Sequence, residues 1–182
     1  HLVIGDVGCT VACGASLLPL PLAVDPIDAR WRDLEQRLLP LLENQPGLAL
    51  QPVSSNRRLA YYVDLERFDH GLIERLRAAG ADCVLSDDRY FDVVPAGVNK
   101  GTTLQALLAW LEVDPAVVVT AGDTLNDLAM FETGLNGVMV ANAEPRLLAE
   151  LPRLPSVYLA EAEGCAGIAE GLRYFGFDHL LD

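Results

Sequence analysis

The 182 residues suffice for one large domain or two small ones, and 51% apolar beside 21% charged residues describes a chain that buries a real core. A formal net charge of −13 repels phosphate backbones and anionic headgroups, so neither nucleic acid nor a membrane is expected as a partner. The same charge obliges any anion site to be built locally, from a cation, a metal or backbone N–H groups. Apolar runs are broken before about 18 residues, no secretory leader is visible, and Cys9, Cys13, Cys83 and Cys165 read as reduced cytoplasmic thiols.

The chain begins with His1 and the apolar run Leu2, Val3, Ile4, which reads as a buried strand followed by a turn at Gly5-Asp6-Val7-Gly8. A short extended piece follows over residues 9–11. Residues 16–26 carry Pro19, Pro21 and Pro26 and read as a connection. Asp25-Pro26 then opens a helix in which Ile27, Trp31, Leu34, Leu38, Leu41 and Leu42 recur at helical spacing, ended by residues 44–47. Residues 48–53 and 59–65 read as strands joined by a polar loop over 54–58. Residues 68–79 predict a second helix closed by Gly80. Two further strands, 82–85 and 89–94, flank the turn Ser86-Asp87-Asp88. This order predicts an antiparallel sheet with helices on one face.

The pattern changes at Pro95. A helix over 101–111 leads to the β-branched run Ala116-Val117-Val118-Val119-Thr120, which suits a parallel strand buried on both faces. Helices over 124–132, 145–151 and 165–175 alternate with strands over 137–140 and 157–159. The fold class predicted is α/β: a doubly wound Rossmann-like core over residues 1–18 and 95–182, with an inserted α+β cap over 19–94.

Two stretches carry chemistry. After the β-branched run comes Gly122-Asp123-Thr124-Leu125-Asn126-Asp127, which places two carboxylates one helical turn apart. In α/β folds ligands bind beyond the carboxyl ends of the strands. Asp123, Asp127 and the neutral oxygen of Asn126 are hard ligands suited to Mg²⁺, which takes one or two protein carboxylates and completes its shell with water and substrate oxygens. An N-cap Asp followed by a surface Asp accounts for the same pattern. The second stretch, Pro95-Ala96-Gly97-Val98-Asn99-Lys100-Gly101, sets a lysine at a helix start, where the dipole favours anions, and a bound anion would remove that conflict. A solvated loop lysine is the plainer alternative.

Together, Lys100 and Gly122-Asp123-x-x-x-Asp127 resemble the haloacid dehalogenase-like phosphatases, and within them the sucrose-phosphate phosphatase-like branch, including glucosylglycerol-phosphate phosphatase-type domains. Phe91-Asp92-Val93-Val94-Pro95 and Val140-Ala141-Asn142-Ala143-Glu144-Pro145 are similar to that branch's neighbouring loops. The segment Ala166-Gly167-Ile168-Ala169-Glu170-Gly171-Leu172 is similar to its last helix. The resemblance implies a Mg²⁺-dependent phosphoric monoester hydrolase acting through an aspartyl-phosphate. Lys100 would hold the phosphoryl oxygens, Asp123 would bind the metal, and Asp127 would bind it or orient its water. Asn142 would contact substrate or the metal's surroundings. Gln51, Arg58 and Tyr61, or its neighbour Tyr62, would contact the sugar; successive strand residues face opposite sides, so only one tyrosine can.

The family's opening Asp-x-Asp-x-Thr, which supplies nucleophile and general acid, is absent from this sequence. The chain is therefore expected to be a fragment short of roughly 50 residues, since a sheet lacking its central strand leaves backbone groups unpaired; alone it would not turn over substrate. A fused or associated glycosyltransferase is a possible partner of the parent protein. A non-catalytic module that binds such a synthase, and a phosphomutase, are the competing functions. An intact mass of 19.7 kDa for the native protein would refute the fragment expectation.

Overall fold

Residues 1–53 and 57–181 are described in the structure, a computed structural model, and they divide into two units, His1–Thr103 and Leu104–Asp182. Most of the polar loop expected over 54–58 lies outside the described residues.

The first unit opens with an antiparallel hairpin, β1 (Leu2–Gly5) against β2 (Thr10–Cys13). Helix α1 spans Pro21–Leu42, four residues earlier than the Asp25-Pro26 signal predicts. Pro21 occupies the first turn, where its missing N–H costs nothing, and the buried Val24 and Ile27 extend the apolar stripe backwards. Pro26 is accommodated inside the helix. Strands β3 (Leu48–Leu50) and β4 (Leu59–Val63), helix α2 (Gly71–Ala78), and strands β5 (Ala81–Ser86) and β6 (Tyr90–Pro95) follow. The four strands form one antiparallel sheet in the order β3-β4-β6-β5.

Period-two alternation decides what each sheet face carries. Tyr61, Val63, Phe91 and Val93 pack with Trp31, Leu34, Leu38 and Leu72 in the core beneath the helices. Tyr62, Tyr90 and Asp92, on the alternate positions, lie on the opposite face. A smaller cluster of Cys9, Ile27, Val94 and Val98 ties the hairpin to α1 and to the end of β6.

Helix α3 runs Lys100–Leu111. The second unit then alternates strand and helix: β7 (Val119–Gly122), a 3-10 turn at Leu125–Asp127, α4 (Leu128–Phe131), β8 (Asn136–Met139), α5 (Pro145–Leu148), β9 (Val157–Leu159) and α6 (Gly164–Tyr174). The strand expected over 116–120 starts later, because Asp114 Oδ1 accepts from Ala116 N at 2.9 Å and caps a tight turn at Pro115–Val117. The three strands are parallel in the order β7-β8-β9. Phe131, Met139, Ala143, Leu147 and Leu154 form this unit's core. The fold class is α/β, as the strand–helix alternation predicts, with an antiparallel helix-backed sheet in the first unit.

Gly171 lets α6 approach β8 closely: a Cβ there would lie 2.2 Å from Val138 Cγ2, and valine's stiff χ1 leaves it little room to yield. Alanine is the better helix former by about 1 kcal/mol, but overpacking costs about 1–3 kcal/mol. We expect Gly171→Ala to lower stability in urea unfolding; a more stable variant would show that α6 and β8 are loosely packed.

Candidate functional site

Strand β7 ends at Gly122, and the chain turns at once into the 3-10 segment Leu125–Asp127. The buried carboxylate of Asp127 makes that turn: its Oδ2 accepts from Asp123 N at 3.1 Å and Thr124 N at 3.3 Å. Thr124 and Asp127 form a reciprocal capping box. With Asp127 folded inward, Asp123 is left exposed at the carboxyl end of the strand, and Asn126 is half-buried beside it.

The loop after β8 braces this turn from the side. Glu144 N donates to Asp123 O at 2.8 Å, and Leu125 N donates to Glu144 Oε1. Sequence reasoning assigned Glu144 no role; its side chain does not cap the helix it precedes but accepts from the neighbouring loop. Asn142 lies in the same loop, exposed, with its Oδ1 accepting from Gly164 N at 3.0 Å ahead of α6. That bond orients Asn142 and uses part of its acceptor capacity.

These residues bring Asp123, Asn126 and Asp127 into one turn. Among the described residues, no three His, Cys, Asp or Glu side chains gather into a ready-made metal cage. The donor set, two carboxylates and an amide oxygen, fits the few-protein-ligand habit of Mg²⁺. Asp127 Oδ2 is committed to the backbone, so a direct role for Asp127 would fall to Oδ1 or to a bridging water.

The other candidates belong to the first unit. Lys100 is the first residue of α3. Asn99 caps that helix: its Oδ1 accepts from Thr102 N at 2.8 Å, while Asn99 N donates back to Thr102 Oγ1 at 3.1 Å. Gln51 Nε2 donates to Tyr61 O at 2.8 Å, so its amide is tied to the backbone of β4. Tyr61 itself lies in the helix-side core and its hydroxyl pKa is raised by burial, whereas Tyr62 is exposed on the other face.

Arg58 stands in a charged cluster. It pairs with Asp92 of β6 and, at 3.2 Å, with Asp6 of the hairpin loop, whose Oδ2 also accepts from Thr10 Oγ1 at 2.7 Å. Arg57 pairs with Asp28 of α1 at 2.6 Å. Burial pushes the Asp92 carboxyl up, and Arg58 opposes that shift. The sequence carried a signal for this pair: Asp92 interrupts an apolar strand, and a buried charge requires a partner. Cys9 is fully buried nearby, and burial pushes its thiol up to about 12, so it holds no thiolate near neutrality and is no nucleophile.

Comparison with known proteins places this geometry in context. Residues 1–176 match the family model described as sucrose-6F-phosphate phosphohydrolase. The chain is 39% identical over 176 residues to glucosylglycerol-phosphate synthase of Pseudomonas anguilliseptica, covering 96% of this chain and 23% of that protein. It is 34% identical over 143 residues to mannosylfructose-phosphate phosphatase of Agrobacterium fabrum, covering 68% of this chain and 58% of that one. The chain thus spans between about a quarter and three-fifths of these relatives. Among solved structures, the sucrose-phosphatase of Synechocystis sp. in complex with sucrose and phosphate aligns with a TM-score of 0.80 at 26% identity, over 93% of this chain and 71% of that one.

Removing the Glu144 carboxylate strands a partly buried N–H, a loss of about 1–3 kcal/mol. Glu144→Ala is expected to lower stability on that scale in urea unfolding, and Glu144→Gln, which keeps an acceptor oxygen, to recover most of it. Equal stability of all three proteins would show that the Leu125 N–H has another acceptor.

Proposed function

Because the chain belongs to the sucrose-6F-phosphate phosphohydrolase family, we propose that it is the metal- and phosphate-holding part of a Mg²⁺-dependent sugar-phosphate phosphatase. The observation that carries this reading is the turn after β7, where a buried Asp127 folds the loop and leaves Asp123 exposed at the strand's carboxyl end. Residues 1–18 and 95–182 would belong to the phosphatase core and 19–94 to a specificity cap.

In this reading Asp123 holds the metal, with Asn126 and Asp127 beside it. Bound Mg²⁺ supplies electrostatic stabilisation of the phosphoryl group in transfer. Lys100 binds the phosphoryl oxygens and offsets their charge. Asn142, on the loop after β8, contacts the substrate. Transfer forms an aspartyl-phosphate as the sugar–oxygen bond to phosphorus breaks, the leaving oxygen takes a proton from a general acid, and water then hydrolyses the acyl phosphate. The nucleophile and the general acid are assigned to no residue of this sequence.

The sugar is met by Gln51, Arg58 and a β4 tyrosine. The placement of Tyr62 on the open sheet face supports it over Tyr61, whose ring packs in the core. Sugar phosphates in the relatives' names — sucrose-, glucosylglycerol- and mannosylfructose-phosphate — define the class to screen. The likeness to part of a synthase supports a second reading, in which this module is fused to, or regulates, a glycosyltransferase. Among the described residues, no helix is long and apolar enough to cross a membrane.

The test is phosphate release by the full-length protein across these three substrates, with and without Mg²⁺. Lys100→Ala and Asp123→Asn should each lower kcat/KM at least about 10²-fold, the scale seen when one electrostatic stabiliser is removed. Near-wild-type rates would refute the assigned roles, and absence of any release would favour the regulatory module.

A further inference from the structure

The hairpin loop joining β1 to β2 has no role in the reading above, yet its backbone is strained. Asp6, Val7 and Gly8 take φ values of 51°, 57° and 103° in succession. Left-handed backbone is uncommon outside glycine and a genuine outlier for β-branched Val7. Strain of this kind persists only where the surroundings over-determine it.

What holds the loop is the start of α3. A Cβ on Gly8 would lie 2.3 Å from Asn99 C, 2.5 Å from Asn99 O and 2.6 Å from Lys100 N, so the glycine backbone rests directly on the peptide that leads into Lys100. From the other side, the buried Thr103 Oγ1 donates to Gly8 O at 2.7 Å, across 95 residues of sequence. Thr103 lies three residues past Lys100, on the same helix face. Helix α3 is therefore fixed at its first turn by local capping through Asn99 and Thr102 and by a long-range bond to the hairpin. Asp6, at the head of the loop, is itself anchored by Thr10 and Arg58.

We infer that the Gly8–Thr103 contact is a positioning device for Lys100, setting where its ammonium group meets the phosphoryl oxygens. This rests on the phosphate-binding role proposed for Lys100. Thr103 and Gly8 act through the backbone of the lysine. A purely structural role predicts a different result. A cross-link that only stabilises the fold lowers stability when lost but leaves the folded protein's turnover and phosphate affinity intact. A positioning device lowers both, because a charge displaced by a fraction of an ångström offsets the transition state less well.

The experiment uses the full-length protein with Thr103→Val, which keeps shape and deletes the donor, and Thr103→Ser, which keeps the donor. Thr103→Ala replaces the valine variant if that one fails to fold. Two quantities are read: kcat and KM for the best sugar phosphate, and the dissociation constant of inorganic phosphate in Mg²⁺, measured by calorimetry. We expect Thr103→Val to lower kcat about tenfold with KM changed less than twofold, to weaken phosphate binding severalfold, and Thr103→Ser to restore both. Wild-type kcat and phosphate affinity in Thr103→Val overturn the inference, as does a loss that serine fails to rescue. If the wild-type protein releases no phosphate from any sugar phosphate, the phosphatase reading fails. The calorimetry then decides the positioning role by itself: weaker phosphate binding in Thr103→Val, rescued by serine, supports it, and unchanged binding overturns it.

Discussion

The turn after β7 depends on one carboxylate. Asp127 is buried, and its Oδ2 gathers the N–H groups of Asp123 and Thr124. Those donors are left without partners when the strand stops at Gly122, and buried backbone donors must be satisfied. The carboxylate therefore determines the loop before any ligand is considered. Because Asp127 is drawn inward, Asp123 can point outward. The two aspartates of the motif are thus unequal in kind: one makes the loop, and the other is offered by it. Glu144 extends the same logic from the next loop, accepting from Leu125 and donating its own N–H to Asp123 O.

A chain with a net charge of −13 has to solve an electrostatic problem before it can hold a phosphate. Placing Lys100 at the first position of α3 opposes the helix dipole, which costs a few tenths of a kcal/mol to about 1 kcal/mol. The reciprocal Asn99–Thr102 cap satisfies the N–H of Thr102 in that turn and so offsets part of this cost. Elsewhere in this unit acids are paired with arginines: the buried Asp92 and the partly exposed Asp6 with Arg58, and the partly exposed Asp28 with Arg57. Pairing of this kind avoids uncompensated buried charge, and removing one member would strand the other.

Local pattern carried much of this. The alternation of strand and helix from β7 onward follows from apolar runs bounded by glycine and proline, and the helix-backed antiparallel sheet follows from the order of elements around residues 27–94. The positions of Lys100 at a helix start and of Asp123 just past a strand end were legible because each lies beside a local glycine signal. What escaped was long-range. Asp92 signals that it needs a partner, but nothing local identifies that partner as Arg58, 34 residues away, or joins Arg58 to Asp6, 52 residues away. Nothing near Gly8 announces Thr103. The early start of α1 escaped for a different reason: prolines at 21 and 26 read locally as a connection, while tertiary burial of Val24 and Ile27 makes the segment helical. Propensity is a weak prior that packing overrides.

The same distinction bears on the sugar contacts proposed for the first unit. Sheet parity is a local property, and it separates Tyr61 from Tyr62 without ambiguity once the helices are assigned to one face. Arg58 cannot be settled by parity, because its guanidinium has five N–H donors. Its bonds to Asp6 and Asp92 orient the fork without exhausting it, so an arginine held this way can be both a member of the buried network and a donor to a hydroxyl. Lysine, with a single charged nitrogen on a flexible stem, would not keep both acids and a ligand in one fixed plane. An arginine at this position therefore couples any sugar contact to the hairpin loop through Asp6. That loop also rests on the peptide before Lys100. A sugar contact at Arg58 and the placement of Lys100 would then share one set of backbone constraints, all of them within the first unit.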